Sequence, residues 1–192
     1  FTTVRDVTER KAADEALQRS RSQLLKVQEI ARMGSWSMDL RSRRFVASPQ
    51  ALAIYGSDPG RPDMSLEEAD ALVVPEDRAL VRAVVRRGDD TGEPSDLRCR
   101  ILNPQRGVRH LHVRAEFERE EGQFVRCVGM VVDETELVEA QRERDRLVSV
   151  LEATSDIVSM ADPQGRVFYF NRAGYETLGL PVDSPLADVI RR

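Results

Sequence analysis

Val131-Val132-Asp133-Glu134-Thr135-Glu136 carries the chain from an apolar strand into a charged helix, and Val4-Arg5-Asp6-Val7-Thr8-Glu9 reads the same way near the N-terminus. Upstream of the later junction, Phe124 to Val132 is apolar at most positions and reads as a strand. The segment before it alternates strictly. Leu111, Val113, Ala115 and Phe117 fall on one side, and His110, His112, Arg114, Glu116 and Glu118 on the other. That is the period of a strand with one buried face. Downstream, Glu136 to Thr154 lacks Gly and Pro. There Leu137, Ala140, Arg144, Leu147, Leu151 and Thr154 recur at three-four spacing, the seam of a coiled coil or of a helix docked on its own domain. The junction thus joins a sheet to a long helix. Thr135 or Thr8 can cap the outgoing helix, and Asp133 or Asp6 can hold the corner by an ion pair or hydrogen bond.

Further out, the stretch from Thr8 to Met33 also lacks Gly and Pro and is rich in helix formers. Its seam is Ala13, Leu17, Ser20, Leu24, Val27 and Ala31, with Gly34 expected to end it. Trp36, Met38 and Leu40 alternate with polar residues as a strand, and Arg44 to Ser48 reads as a second. Gln50 to Tyr55 is a short helix stopped by Gly56, and Ser57 to Asp63, with two Pro and one Gly, is expected to be loop. Ser65 with Glu68 forms a capping box. A longer helix is expected from Pro75, with Glu76 and Asp77 in its first turn and Gly88 at its end. Leu97, Cys99 and Ile101 make a strand, and Asn103 to Gly107 a turn. The fold class is α+β: a five-stranded antiparallel sheet with helices on one face, flanked by long amphipathic, coiled-coil-like linker helices. Ser20 and Arg144 interrupt the two seams with the kind of polar residue that sets register at a cost in stability. The expected partner is accordingly a second copy of the chain, in a parallel homodimer through these helices.

The 192 residues are 41% hydrophobic and 32% charged, with a formal charge of −4 and both signs interspersed. This balance speaks against nucleic acid as a partner, which needs a basic face. The longest uncharged stretch, Phe45 to Ser57, is shorter and more polar than the roughly 20 apolar residues of a membrane span, so no membrane contact is expected within the fragment. Cys99 and Cys127 lack the spacing of a disulfide framework or a metal site and read as small strand hydrophobes. A cytoplasmic location follows as an expectation. No phosphate loop, nucleophile elbow or metal-binding His motif is present, so no catalytic and no metal residues are assigned. His110 and His112 fall on the polar face of their strand. The acid pairs Glu67-Glu68, Asp89-Asp90 and Glu120-Glu121 fall at helix starts and turns, where solvation is the default.

Gly34-Ser35-Trp36-Ser37-Met38-Asp39 resembles the Gly-x-Trp-x-x-Asp first strand of one subfamily of PAS domains. The Asp-x-Thr-Glu junction that closes such domains occurs twice, at Asp6 to Glu9 and Asp133 to Glu136. Pro75-Glu76-Asp77-Arg78 is similar to the entry of the family's long helix, with Val74 where His is common. Asp162-Pro163-Gln164-Gly165-Arg166-Val167 followed by Phe168-Tyr169-Phe170-Asn171 looks like the first hairpin of another PAS domain, and it echoes Phe45-Val46-Ala47-Ser48. Such a tandem implies these parts: residues 1–7 the end of a preceding PAS domain, 8–33 a linker helix, 34–135 a complete PAS domain, 136–154 a second linker helix, and 155–192 the start of a following PAS domain. The chain then reads as an excerpt of a longer protein.

The resemblance implies a non-enzymatic sensory and relay module, with adjacent PAS and output domains of the same chain as its partners. A sensor histidine kinase is the expected parent. A cyclic-dinucleotide synthase, a transcription regulator or a ligand-free dimerisation scaffold are the alternatives. Asp6, Thr8, Asp133 and Thr135 become the signal junctions. Flavin is disfavoured as cofactor because light-sensing members use a cysteine on a middle helix, and haem because haem-binding members use a histidine on the long helix. A small organic ligand between sheet and helices stays open. Trp36, Leu97, Leu111, Val113 and Val128 are the candidates to line its cavity, and a packed core accounts for the same residues.

Overall fold

A long run of helix formers without Gly or Pro becomes α1 (Thr2–Ile30) in the computed structural model, which describes residues 2–58, 60–61 and 63–182. The helix opens at Thr2 rather than Thr8. Val4 to Val7, read from the repeat as the close of a preceding domain, lies within this helix. The side chains of Asp6, Thr8, Leu17 and Leu24 lie outside those described. Arg32, with φ of 50°, turns the chain into β1 (Met33–Asp39), so the helix ends before Gly34 and that glycine lies in the strand.

The first compact unit, Phe1–Thr135, continues with β2 (Arg44–Ala47), α2 (Pro49–Tyr55), β3 (Asp63–Ser65), α3 (Leu66–Leu72), α4 (Arg78–Thr91), β4 (Ser95–Asn103), β5 (Gly107–Glu120) and β6 (Gln123–Asp133). The sheet order is β3-β2-β1-β6-β5-β4, antiparallel at every pairing. The sheet thus has six strands, not five. The extra one, β3, is three residues long at an edge beside prolines, and only its pairing with β2 makes it a strand.

The three motif residues of β1 each have a local task. A Cβ at Gly34 would stand 2.4 Å from Ala51 Cα, so the missing side chain is what lets α2 lie directly on the strand. Trp36 packs against the inner core and stacks edge-on to Phe45, with ring centroids 5.2 Å apart. Asp39 Oδ1 accepts from the Arg41 and Ser42 amides at 3.1 and 2.7 Å and closes the β1–β2 turn. Ser48 caps α2 through the Ala51 amide and also accepts from Ser35 N at 3.0 Å. The capping box of α3 forms as read, Ser65 with Glu68.

α4 differs from the reading at both ends. It starts at Arg78 because Asp77 is turned to the sheet, where its carboxylate accepts from Arg100 N at 2.7 Å and from the Arg100 guanidinium. Those hydrogen bonds hold Asp77 below the usual carboxylate range. The helix runs past Gly88, which is buried under Phe117, and ends at Gly92. The core holds Ala51, Ile54, Val73, Leu97, Cys99, Ile101, Leu111 and Val131, with Met38, Ala115 and Cys127 at its other end. Asn103, fully buried, donates to Ile54 O at 2.9 Å and accepts from the Gln105 and Arg106 amides, joining α2 to the β4–β5 turn.

The second unit, Glu136–Arg192, contains all but the first residue of α5 (Thr135–Ala153), the antiparallel pair β7 (Ser159–Ala161) and β8 (Val167–Phe170), and α6 (Arg172–Thr177). The hairpin read at Asp162 to Asn171 is present. Buried Asn171 organises it, accepting from the Val158 and Gly174 amides and donating to the Leu151 and Asp156 carbonyls.

Candidate sensory cavity and strand-to-helix corner

Helices α2, α3 and α4 lie over the inner face of the sheet and leave a cavity of about 680 Å³ within the first unit, in the range of roughly 300–1,000 Å³ typical of small-molecule sites. Trp36, Leu97, Leu111 and Val113 line it, as read from the sequence. Val128 does not: it pairs with Ser37 and Glu116 and lies on the opposite face, while Cys127 and Val131 turn inward. β6 is apolar on both faces, so its alternation could not tell which residues face the helices. Trp36, Leu97, Leu111 and Val113 also belong to or pack against the core, so core and cavity wall are the same surface.

Cys99 and Cys127 reach the cavity from β4 and β6, and burial pushes both thiols up to about 11. Neither cysteine nor histidine occurs in α2, α3 or α4. Tyr55 brings a phenol whose pKa burial raises. Trp36 Nε1 is buried without a hydrogen-bond partner. Charged groups gather on the helical side. Arg43 pairs with Asp89, Arg82 with Asp70, and Arg78 donates to the Val73 and Ala71 carbonyls.

At the corner Asp133 holds the turn by an ion pair, as read, and also takes over the capping role expected of Thr135. Asp133 Oδ1 accepts from Thr135 N at 3.0 Å, so the aspartate satisfies an amide of the first turn of α5. Thr135, 1% exposed, instead stitches the turn to β5: its Oγ1 accepts from His110 N at 2.9 Å and donates to Asp133 Oδ1. Asp133 Oδ2 accepts from Arg109 Nε and Nη2 at 3.0 and 2.9 Å. Burial alone would raise the Asp133 carboxyl, but the Thr135 hydrogen bonds and the Arg109 guanidinium outweigh it and hold it below the usual range.

His112, expected on the polar face of its strand, is only 8% exposed. Its Nε2 lies 2.7 Å from Asp96 Oδ1 and its Nδ1 3.1 Å from Glu134 Oε1. Arg98 holds the other Glu134 oxygen at 3.1 Å, and Arg114 the other Asp96 oxygen at 2.8 Å. The residue before Thr135 is thereby clamped to β4 and β5. Strand alternation places His112 on this face, but only the pairing of three strands reveals its partners. Among the described residues, no group of three or more His, Cys, Asp or Glu could hold a metal ion, and no helix is long and apolar enough to cross a membrane.

An antiparallel sheet with short helices over one face, a cavity between them and a long helix leaving the last strand defines a PAS-type sensory domain. Residues 44–131 match the family model described as the PAS fold, which makes this domain a member of the PAS family. It is 32% identical over 136 residues to proteins named blue-light-activated histidine kinase from Brucella ovis and Brucella abortus (strain 2308), a match covering 71% of this chain and 27% of theirs. The chain spans about a quarter of the length of those curated relatives. Among solved structures, it is similar to a sensory box histidine kinase/response regulator from Burkholderia thailandensis E264. The TM-score is 0.53 at 22% identity, covering 68% of this chain and 94% of that one. The N-terminal domain of a diguanylate cyclase with PAS/PAC sensor from Marinobacter aquaeolei gives 0.50 at 19%, covering 54% and 95%. At these identities the likeness is one of fold. Because the Brucella relatives are named for activation by blue light, the comparisons do not support disfavouring flavin.

Proposed function

We propose that the chain is a sensory and signal-relay module of a larger, cytoplasmic signalling protein, with a sensor histidine kinase as parent. The observation that carries this reading is the corner. Thr135 begins α5 while its hydroxyl and its neighbours Asp133 and Glu134 are bonded to β5 and β4. Strands β4 and β5 also form a wall of the cavity. A change of cavity contents that shifts these strands therefore moves the first turn of α5. The Brucella relatives support a kinase as the output. In the same reading α1 and α5 pair two copies of the chain in parallel. The exposed Val27 on α1 and Leu137, Leu147 and Val150 on α5 support such a contact, being apolar surface that a partner helix would bury.

The test is Asp133→Asn in the full-length parent, with autophosphorylation measured beside thermal melting. A change of kinase output by several-fold is expected at a temperature where the variant is still folded, its melting temperature being lowered by the loss of the Arg109 ion pair. Wild-type output from a folded variant would reduce the corner to a structural turn, and a parent that does not autophosphorylate would overturn the kinase assignment.

A further inference from the structure

The cavity's walls are mostly apolar, so its occupant must bring an apolar body; burying it contributes roughly 25 cal/mol per Å². Its polar groups select the sign of the head group. Arg43, Arg78, Arg82 and Arg86 stand at the cavity against Glu67, Asp70 and Asp89, a surplus of one positive charge. Two of the acids are committed, Asp70 to Arg82 at 2.6 Å and Asp89 to Arg43 at 2.5 Å. Arg78 donates to backbone carbonyls, which leave its charge uncompensated by an acid. Arg86, on the exposed side of α4, has no ion pair among the described residues. The sheet side offers no carboxylate, and its buried Trp36 Nε1 is a donor without an acceptor. Among the described residues, an ammonium group entering here finds one acid outside an ion pair, the exposed Glu67 on α3, against the two arginines Arg78 and Arg86 that no acid neutralises, and no buried anion. A carboxylate meets a planar, uncommitted guanidinium suited to bind it through two hydrogen bonds.

We propose that the cavity binds an elongated monocarboxylic acid, its apolar body against Trp36, Val84 and Leu111 and its carboxylate beside Arg86. This deepens the sensory reading above by naming the ligand class, and rests on it for the reason a cavity is present. Binding is measured on the chain itself, so its outcome is separate from the kinase readout of the corner.

Trp36 is the sole tryptophan of the chain and lines the cavity, so its fluorescence reports occupancy. Decanoate, decanol and decylamine, each below its aggregation limit, are the probes. Decanoate is expected to shift the emission saturably, with decanol and decylamine weaker by about tenfold or more, a difference of about 1.4 kcal/mol. Arg86→Gln, at an exposed site that leaves the fold intact by circular dichroism, should weaken decanoate by a similar factor and leave decanol unchanged. Val84→Phe should reduce binding of both by filling the cavity. Decylamine binding as tightly as decanoate, no saturable response to decanoate, or no effect of Arg86→Gln on it would each overturn the assignment.

Discussion

Thr135 shows how much a single hydroxyl can hold. It accepts from the His110 amide and donates to Asp133 in a site closed to water. Thr135→Val keeps the shape but leaves the His110 N–H without its acceptor, while Asp133 Oδ1 keeps the amide of residue 135, at a cost of about 1–3 kcal/mol for the orphaned amide. Urea unfolding should show a loss of that size for Thr135→Val and much less for Thr135→Ser. Equal stability of Thr135→Val and wild type would mean that water reaches the site. Asp133 adds a pH dependence. Its folded pKa lies below the unfolded value of about 3.9, so its stabilisation is complete above that value and lost as pH falls through the lower, folded one. The stability gap between wild type and Asp133→Asn should be constant from about pH 7 to 5 and shrink below about pH 4. A gap that instead widens on acidification would reverse the assigned sign. The Asp133/Thr135 pair was legible in the sequence, because an acid and a hydroxyl two residues apart at a strand end suit a corner. Their division of labour was not, because the acceptor for His110 N lies 25 residues away along the chain.

Two glycines illustrate the element scale. At Gly34 an added methyl would meet backbone of α2, with Ala51 Cα at 2.4 Å and Ala51 N at 2.5 Å; at Gly88 it would meet the Phe117 ring, with Cζ at 2.5 Å. Backbone cannot step aside without moving the whole of α2. Phe117 lines the cavity and has free volume beside it. Gly34→Ala should therefore cost about 3 kcal/mol or more, and Gly88→Ala about 1 kcal/mol, partly offset by the better helix propensity of Ala. Thermal melts of the two variants decide this, and the reverse order would show that α2 is the more yielding contact. Gly88 also explains why the extent of α4 escaped the sequence reading. A glycine in a helical pattern reads as a stop, whereas here its task is to make room for a side chain from β5.

On the scale of the whole molecule, the exposed apolar residues of α5 set the main expectation. Leu137 is 69%, Leu147 56% and Val150 62% exposed, so a lone helix leaves in water what a partner would cover. Sedimentation over a range of concentrations should show a dimer, weakened when Leu137 and Leu147 are both replaced by Ala, which keeps helix propensity high. A strict monomer at high concentration would remove the pairing of linker helices from the proposed function.

Local rules were enough to derive the α+β class, the long helices, the capping box at Ser65, the alternation of β5 and the corner at Asp133 and Thr135. Each depends on residues within a few positions of one another, where hydrogen bonding and periodicity act. The sixth strand, the face of Val128, the clamp around His112 and the closure of Asp77 onto Arg100 were decided only by tertiary structure. In each of these a polar or apolar group finds its partner on a different strand. That pairing is set by sheet register and by which face the helices cover, neither of which local periodicity encodes. Residues of the cavity wall could be named from alternation, but the cavity itself exists only because α3 and α4 stand over the sheet without filling the space beneath them.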